Sequence, residues 1–397
     1  MKTVLFSFGI ILYLASCTNT SSHGGSETDA ATRDTEKAQN AAQVPHTAPS
    51  FYKRFEGTIA NQPVVVYLEK DDSSFSGYYY YTRIGKNIMI NGTASKNKDS
   101  LVLTEYDQSA VYSGDRQPVL SCIFNGDNLM GKWVSSDGKK SFDIMLKEAY
   151  GAGSYTFEMR KYTNSAKAYP EKENSPQATS TYKLPEATGS TAEAGWINEQ
   201  VRNYLGTNNA DKSSLTAIIK EQDDSFFASY RRDMITDEDI LKENNGEYPG
   251  SWNYDETVVY SIRYNEKGFV VIETMGYSYT GGAHGNYGSG FLNLDVENRR
   301  KLNFKDIATI DSTSLQKIME QYFRKDYNIP VPKPLTDMLF ENYLAPTDNF
   351  YLGEKGLGFL YNPYEVAAYA VGQIEVFVPY TALMPYLRPD FRKRMKL

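Results

Sequence analysis

Histidine, glycine and tyrosine crowd into one stretch of the chain, Gly276-Tyr277-Ser278-Tyr279-Thr280-Gly281-Gly282-Ala283-His284-Gly285-Asn286. An imidazole titrates near neutral pH, so His284 has the intrinsic chemistry of a general base. Glycine supplies positive φ and lets backbone or ligand approach closely, and the amides of Gly281 and Gly282 could form an anion-binding nest. Tyr277 and Tyr279 share one face if a strand continues into the stretch, as a ligand platform or as core. A plainer role is equally open: a ring nitrogen of His284 bonded to a backbone carbonyl would simply pin the loop. The companions that catalysis needs are sparse. No Gly-x-Ser-x-Gly elbow is present, no second metal ligand is visible, and no Lys-Ser or Lys-Thr pair follows the glycines as in a nucleotide phosphate loop. Glu273 and Glu365 are the carboxylates that folding could bring to the histidine. The candidate ligand-binding residues are Tyr277, Tyr279, Gly281, Gly282, His284, Gly285 and Asn286, with no catalytic residue, metal or cofactor assigned.

The elements that must position this stretch are strands. Phe269-Val270-Val271-Ile272 precedes it and Phe291-Leu292-Asn293-Leu294 follows it. Thr257–Tyr264 and Phe269–Met275 read as a hairpin. Ser190 and Glu193 have capping-box spacing ahead of a helix with Ile197, Val201, Tyr204 and Leu205 on one face, stopped at Gly206. A second helix is expected from about Ser213 to Tyr230, and a third carries Leu315, Ile318, Met319, Tyr322 and Phe323. Short helices are expected over Leu335–Tyr343 and Tyr380–Leu387, and strands over Gly356–Tyr361 and Gln373–Pro379. Helices segregated from antiparallel strands predict an α+β domain over residues 190–397. The basic end, Arg392-Lys393-Arg394-Met395-Lys396, reads as a solvated terminus.

Upstream the pattern changes. Residues 51–160 alternate short β-branched and aromatic runs with Asn-Gly and Asp-Gly turns, which predicts a small all-β meander closing into a barrel or sandwich. Cys122 shares a face with Leu120 and Phe124 and reads as a small buried hydrophobe. The run Tyr78-Tyr79-Tyr80-Tyr81 should bury one pair of rings and expose the other, which could stack on a sugar. Residues 161–189 are rich in Pro, Ser, Thr and Glu and read as a linker or an extended edge, with the domain boundary placed there. Residues 18–50 cannot bury enough apolar surface to fold and read as a tether.

Residues 1–17 resemble a bacterial lipoprotein signal. Lys2 gives the positive start, Val4–Leu14 a short apolar core, and Leu14-Ala15-Ser16-Cys17 a lipobox, so Cys17 is expected to be the acylated mature N-terminus. The Tyr-rich and Asn-rich composition, with 32 Tyr, resembles lipoproteins of the Bacteroidetes type. The absence of an acidic run after Cys17 then points to a periplasm-facing protein on the outer membrane. The net charge of -7 gives no support for nucleic-acid binding. Two cysteines, Cys17 and Cys122, provide neither a disulfide framework nor a Cys-based zinc site.

Three stretches of the second half resemble the RsiV/PdaC-type C-terminal domain family of bacterial envelope proteins. They are Tyr277–Asn286, Leu302-Asn303-Phe304-Lys305-Asp306-Ile307, and the run from Tyr361 through Asn362-Pro363-Tyr364-Glu365 to Tyr380. The family includes a lysozyme-binding anti-sigma factor and a protein that carries the module beside a polysaccharide deacetylase domain. The resemblance implies an envelope location and contact with peptidoglycan or a lysozyme-like protein. The chain departs from both relatives: it has no cytoplasmic sigma-binding segment and no deacetylase domain. The expected function is a non-catalytic, lipid-anchored envelope protein that binds or senses an extracytoplasmic ligand. The alternative is an envelope glycan or peptide hydrolase with His284 as general base.

Overall fold

The computed structural model describes residues 47–95, 99–106, 116–206, 214–234 and 247–397. The expected signal and Cys17, most of the tether, and the acidic residues Asp237, Glu238, Asp239 and Glu243 lie outside the described residues.

An eight-stranded antiparallel meander closes into a barrel: β1 (Ser50–Ile59), β2 (Gln62–Asp71), β3 (Ser74–Tyr81), β4 (Ile88–Ala94), β5 (Ser100–Tyr106), β6 (Val119–Asn125), β7 (Asn128–Val134) and β8 (Ser141–Glu148), with β8 returning to β1. Strict alternation drives this. In β6, Leu120, Cys122 and Phe124 point inward and are buried while Ser121 and Ile123 are exposed. Inside, Phe51, Phe55, Val66, Leu68, Phe75, Leu101, Leu103, Ile144 and Leu146 join them in one core. A barrel this small bends its strands sharply, and glycine makes room at the closest approaches. A Cβ on Gly92 would lie 1.8 Å from the Val102 carbonyl oxygen.

A six-stranded sheet follows, in the order β14-β13-β12-β11-β10-β9. Its strands are β9 (Phe157–Lys167), β10 (Gln177–Ala187), β11 (Tyr254–Glu266), β12 (Phe269–Tyr279), β13 (Asn286–Asp295) and β14 (Arg300–Lys301). All neighbours are antiparallel except β10 and β11, which run parallel and are joined through helices α1 (Ala192–Leu205) and α2 (Leu215–Asp233). The cap of α1 is Thr191, one residue beyond the expected Ser190; its hydroxyl accepts from the Ala194 amide. Ser214 caps α2 in the same way.

The alternation along β12 divides two cores. Val270 and Ile272 face α1, α2 and the barrel, whereas Phe269 and Val271 face the other layer. That layer is a three-stranded sheet, β15 (Phe350–Leu352), β16 (Gly356–Tyr361) and β17 (Ile374–Pro379), with helices α3 (Phe304–Ile307), α4 (Ser312–Asp326), α5 (Tyr380–Leu383) and α6 (Pro389–Met395). The fold is thus a small antiparallel barrel followed by an α+β region of sheets and helices, as the patterning predicts.

Four sequence expectations are corrected. The stretch 161–189 is an extended edge and not a linker: residues 161–167 and 177–187 lie in the edge strand β9 and its neighbour β10, which pair from Phe157↔Ala187 to Lys167↔Gln177. Tyr182 and Leu184 are fully buried there, and so is Ser180 on the same face, whose hydroxyl donates to Asp223 at 2.6 Å. The outer pair of the tyrosine run is not exposed: Tyr78 and Tyr80 are 5% and 2% accessible because the sheet covers that side of the barrel. The helix expected over Leu335–Tyr343 shrinks to one 3-10 turn at Leu335–Asp337. Arg394 does not belong to a free terminus: it donates to the Lys267 carbonyl and pairs with Asp295 and Glu297 across the β11–β12 turn.

Polar groups join the barrel and the sheet beside the apolar cluster they share. β10 accompanies β11 only as far as Val259. Beyond it, barrel side chains satisfy the exposed edge of β11: Glu69 accepts from the Ile262 amide at 2.8 Å, Asn87 donates to the Arg263 carbonyl at 3.0 Å, and the Tyr67 hydroxyl accepts from the Asn265 amide at 3.3 Å. Arg54, 1% exposed, donates to both carboxylate oxygens of Glu266, at 2.7 and 2.8 Å. Arg263 lies between the rings of Tyr78 and Tyr351 and pairs with Glu273 and Glu375, which ties the barrel, the large sheet and the small sheet at one point.

Candidate functional site

β12 carries Tyr277 and Tyr279 to the rim of the sheet, and β13 returns at Asn286. Between them the loop turns through Gly281 at φ +86° and Gly282 at φ +91°, a region that L side chains avoid. The Tyr279 hydroxyl donates to the Gly282 carbonyl at 3.0 Å and braces that turn. Gly285 is required for space: an added Cβ would lie 2.5 Å from the Tyr277 ring.

His284 is exposed, but its ring is engaged. It stacks on Tyr369, with ring centroids 4.1 Å apart and an interplanar angle of 23°. Its Nδ1 lies 2.8 Å from the Gly285 carbonyl oxygen. A carbonyl only accepts, so Nδ1 carries the proton and Nε2 is the acceptor nitrogen of the neutral ring. The Tyr369 hydroxyl donates to the same Gly285 carbonyl at 2.7 Å. Tyr364, at φ +71° and 55% exposed, lies 5.5 Å from Tyr369, and Tyr287 meets it edge-on at 6.0 Å. Burial, then the neighbouring Tyr369 and Tyr106, push the Tyr287 phenol above its ordinary value.

The segment bearing Tyr364 and Tyr369 is held against β13 by Asn362. Its Oδ1 accepts from the Ser289 amide at 2.7 Å and its Nδ2 donates to the Ser289 carbonyl at 3.1 Å, so one side chain replaces a strand partner. Gln373 donates to the same Oδ1 at 3.0 Å. Gly288 leaves room for this contact, since a Cβ there would meet Asn362 at 3.3 Å. Glu365 closes the turn by accepting from the Asn362 amide at 2.9 Å.

The sequence brings Tyr277, Tyr279, Gly281, Gly282, His284, Gly285 and Asn286 to one loop. Neither carboxylate considered for His284 reaches it. Glu273 is held by Arg263 and the Tyr78 hydroxyl in the barrel junction, and Glu365 is held by Asn362. The ring that does reach the histidine, Tyr369, and Tyr364 beside it carry no site assignment from sequence, because some 80 residues separate them from the loop. The tyrosines of the Asn362-Pro363-Tyr364-Glu365 turn and its continuation were the available signal. Among the described residues no group of His, Cys, Asp and Glu is arranged to hold a metal ion, and no helix is long and apolar enough to cross a membrane.

Comparison with known proteins places two family matches on this framework. A profile described as deacetylase PdaC matches residues 171–287, from the hairpin turn before β10 to the start of β13. A profile described as a protein of unknown function, DUF3298, matches residues 304–381, from α3 to α5. No curated protein matches the chain. A solved DUF3298 family member from Bacteroides fragilis NCTC 9343 is similar over 62% of this chain and 99% of its own, with 24% identity and a TM-score of 0.53, which speaks to the fold. A DUF3298 family protein from Pseudomonas aeruginosa PAO1 is similar over 59% of this chain and 96% of its own, with 17% identity and a TM-score of 0.41. The second half of the chain is therefore similar to the PdaC and DUF3298 families, and not to the lysozyme-sensing anti-sigma member in particular.

Proposed function

We propose that this protein is a lipid-anchored component of a bacterial cell envelope that binds an extracytoplasmic ligand, a peptidoglycan fragment or a lysozyme-like protein, on the shelf formed by His284, Tyr369 and Tyr364. The observation that carries this reading is the shelf itself. The rings of His284 and Tyr369 are fixed by hydrogen bonds to the Gly285 carbonyl, Tyr364 packs beside Tyr369 in the segment held by the Asn362 clamp, and Tyr364 keeps more than half of its surface exposed at 55%. Rigid aromatic surface offers contact area at low entropic cost. Tyr277, Tyr279, Gly281, Gly282, Gly285 and Asn286 shape the loop beside it. The PdaC and DUF3298 similarities and the lipobox-like Leu14-Ala15-Ser16-Cys17 support the envelope setting. The anchor places Cys17 on the outer membrane, with the folded part facing the periplasm.

The test measures binding of the full chain to purified peptidoglycan and to a lysozyme by sedimentation and calorimetry. Tyr364→Ala should weaken binding about tenfold, with the melting temperature unchanged, since an exposed aromatic contact is worth on the order of 1–2 kcal/mol. Binding to neither material by the wild type refutes the reading. Release of soluble fragments by the wild type, lost in His284→Ala, makes the protein a hydrolase instead. Metabolic acyl labelling that persists in Cys17→Ala refutes the anchor.

A further inference from the structure

Glu69 lies on the outer side of β2 and is 5% exposed, beneath the sheet. Its Oε1 takes the Ile262 amide at 2.8 Å and its Oε2 lies 3.0 Å from the Ser261 hydroxyl, both on β11 just past the point where β10 departs. No cation pairs with it among the described ion pairs, in contrast to Arg54 and Glu266 nearby. A cleft of about 180 Å³ opens beside it between the barrel and the sheet, lined by Lys70, Asp71, Arg160, Lys161 and Lys183, and gives protons and water a route to the carboxyl.

We propose that the seam between the barrel and the edge of β11 is a proton-operated latch, held by the neutral Glu69 carboxyl and loosened when that carboxyl ionises. The neutral acid fits both partners: one oxygen accepts from the Ile262 amide while the other donates its proton to the Ser261 hydroxyl. On ionisation the same two bonds persist with Ser261 as donor, but a full charge then sits in the seam.

The surrounding charges are already committed. From its own strand come Lys70, which donates to the Ala48 carbonyl at 2.7 Å, and Asp71. From β10 comes Lys183, whose ammonium is held by Asp71, and from β9 come Lys161, 3.1 Å from Asp71, and Arg160, 2.7 Å from Glu186. From β12 comes Glu273, held by Arg263 of β11 and by Tyr78 of β3, and from β1 comes Tyr52, which accepts from Asn265. Burial pushes the Glu69 carboxyl up to about 7; the Ile262 amide, the Ser261 hydroxyl and Lys183 pull it down, and Glu273 adds to the rise. Between the ordinary carboxylate value and about 7, the docked state holds a proton that the undocked state releases. Docking therefore weakens as pH rises through that window.

Hydrogen exchange of the full chain, corrected for intrinsic rates and followed in the segment around Ile262 from pH 5 to 8.5, tests the latch. Wild-type protection should fall on the order of a hundredfold from about pH 5 upward and level off near pH 7, where the docked carboxyl itself ionises. Glu69→Gln keeps an acceptor and a donor without a titrating proton, so its protection should be flat with pH. An unchanged pH dependence in Glu69→Gln, or a flat wild-type profile, overturns the proposal. Carbon NMR of the wild-type Glu69 carboxyl serves even if the variant fails to fold: titration at an ordinary carboxylate value overturns the latch, and titration near neutrality supports it.

Discussion

Replacing Arg54 with Met isolates the energy of the buried ion pair at the barrel–sheet junction. Arg54 is 1% exposed and makes four hydrogen bonds: two to Glu266, one to the Ala149 carbonyl at 2.5 Å and one to Glu56 at 2.6 Å. Methionine fills the volume of the stem, so the loss is electrostatic. It leaves Glu266, 13% exposed, with a charge that only the Tyr67 hydroxyl at 2.9 Å still serves. Breaking a buried pair from one side costs about 3–5 kcal/mol, and the freed Ala149 carbonyl adds about 1 kcal/mol. Burial already raises Glu266 above the ordinary carboxylate range with Arg54 present, and Arg54 is the main group opposing that rise. Without it the folded-state value climbs further, so the variant gains stability as pH falls towards the unfolded value of about 4.5. Urea unfolding at pH 8 and pH 5 measures both quantities. The loss should be several kcal/mol at pH 8 and distinctly smaller at pH 5. Arg54→Met combined with Glu266→Met should lose less than Arg54→Met alone, because the second change removes the stranded charge. A single variant within 1 kcal/mol of wild type at pH 8, or a double variant whose losses simply add, refutes the reasoning.

Two further expectations concern backbone space and thiol chemistry. Gly92→Ala should destabilise the barrel by about 2 kcal/mol or more, because the new Cβ meets the Val102 carbonyl at 1.8 Å, whereas Gly195→Ala on the open side of α1 should stabilise by about 0.5–1 kcal/mol; equal melting temperatures for the two variants would contradict the packing argument. Cys122, 5% exposed with its thiol pushed up to about 12 by burial, should resist iodoacetamide at pH 8 in the folded protein and react once urea unfolds the barrel; rapid alkylation of folded protein would show that the barrel interior is open.

The parts of the fold that were legible in sequence are those stabilised by neighbours close along the chain. The barrel is a meander, so each strand pairs with the next, and its alternation and turns suffice to outline it. The β11–β12 hairpin reads out for the same reason. β10 did not, because its parallel partner β11 arrives only after two helices, and its Ser and Thr residues resemble a linker until Tyr182 and Leu184 are seen to be buried. Tyr78 and Tyr80 failed a one-sided rule because a second domain covers what an isolated barrel would expose. The candidate loop was marked by its glycines and histidine. Its aromatic partners were not, since Tyr369, with Tyr364 beside it, is brought to the loop by the Asn362 clamp, a contact that no local periodicity encodes.

The stretch of β11 that outruns β10 has a consequence for how the chain must be made. A strand edge with unpaired amides and carbonyls is a template for pairing with another molecule. Here the groups that blunt it, Glu69, Asn87 and Tyr67, belong to a unit that is synthesised first and whose contacts are mostly between successive strands. During vectorial synthesis the barrel can be complete before β11 emerges, so the sticky edge meets its own cover before it meets a neighbour. Expressing the second half alone reverses that order, and the fragment should accumulate as edge-paired aggregates unless the barrel is supplied in trans.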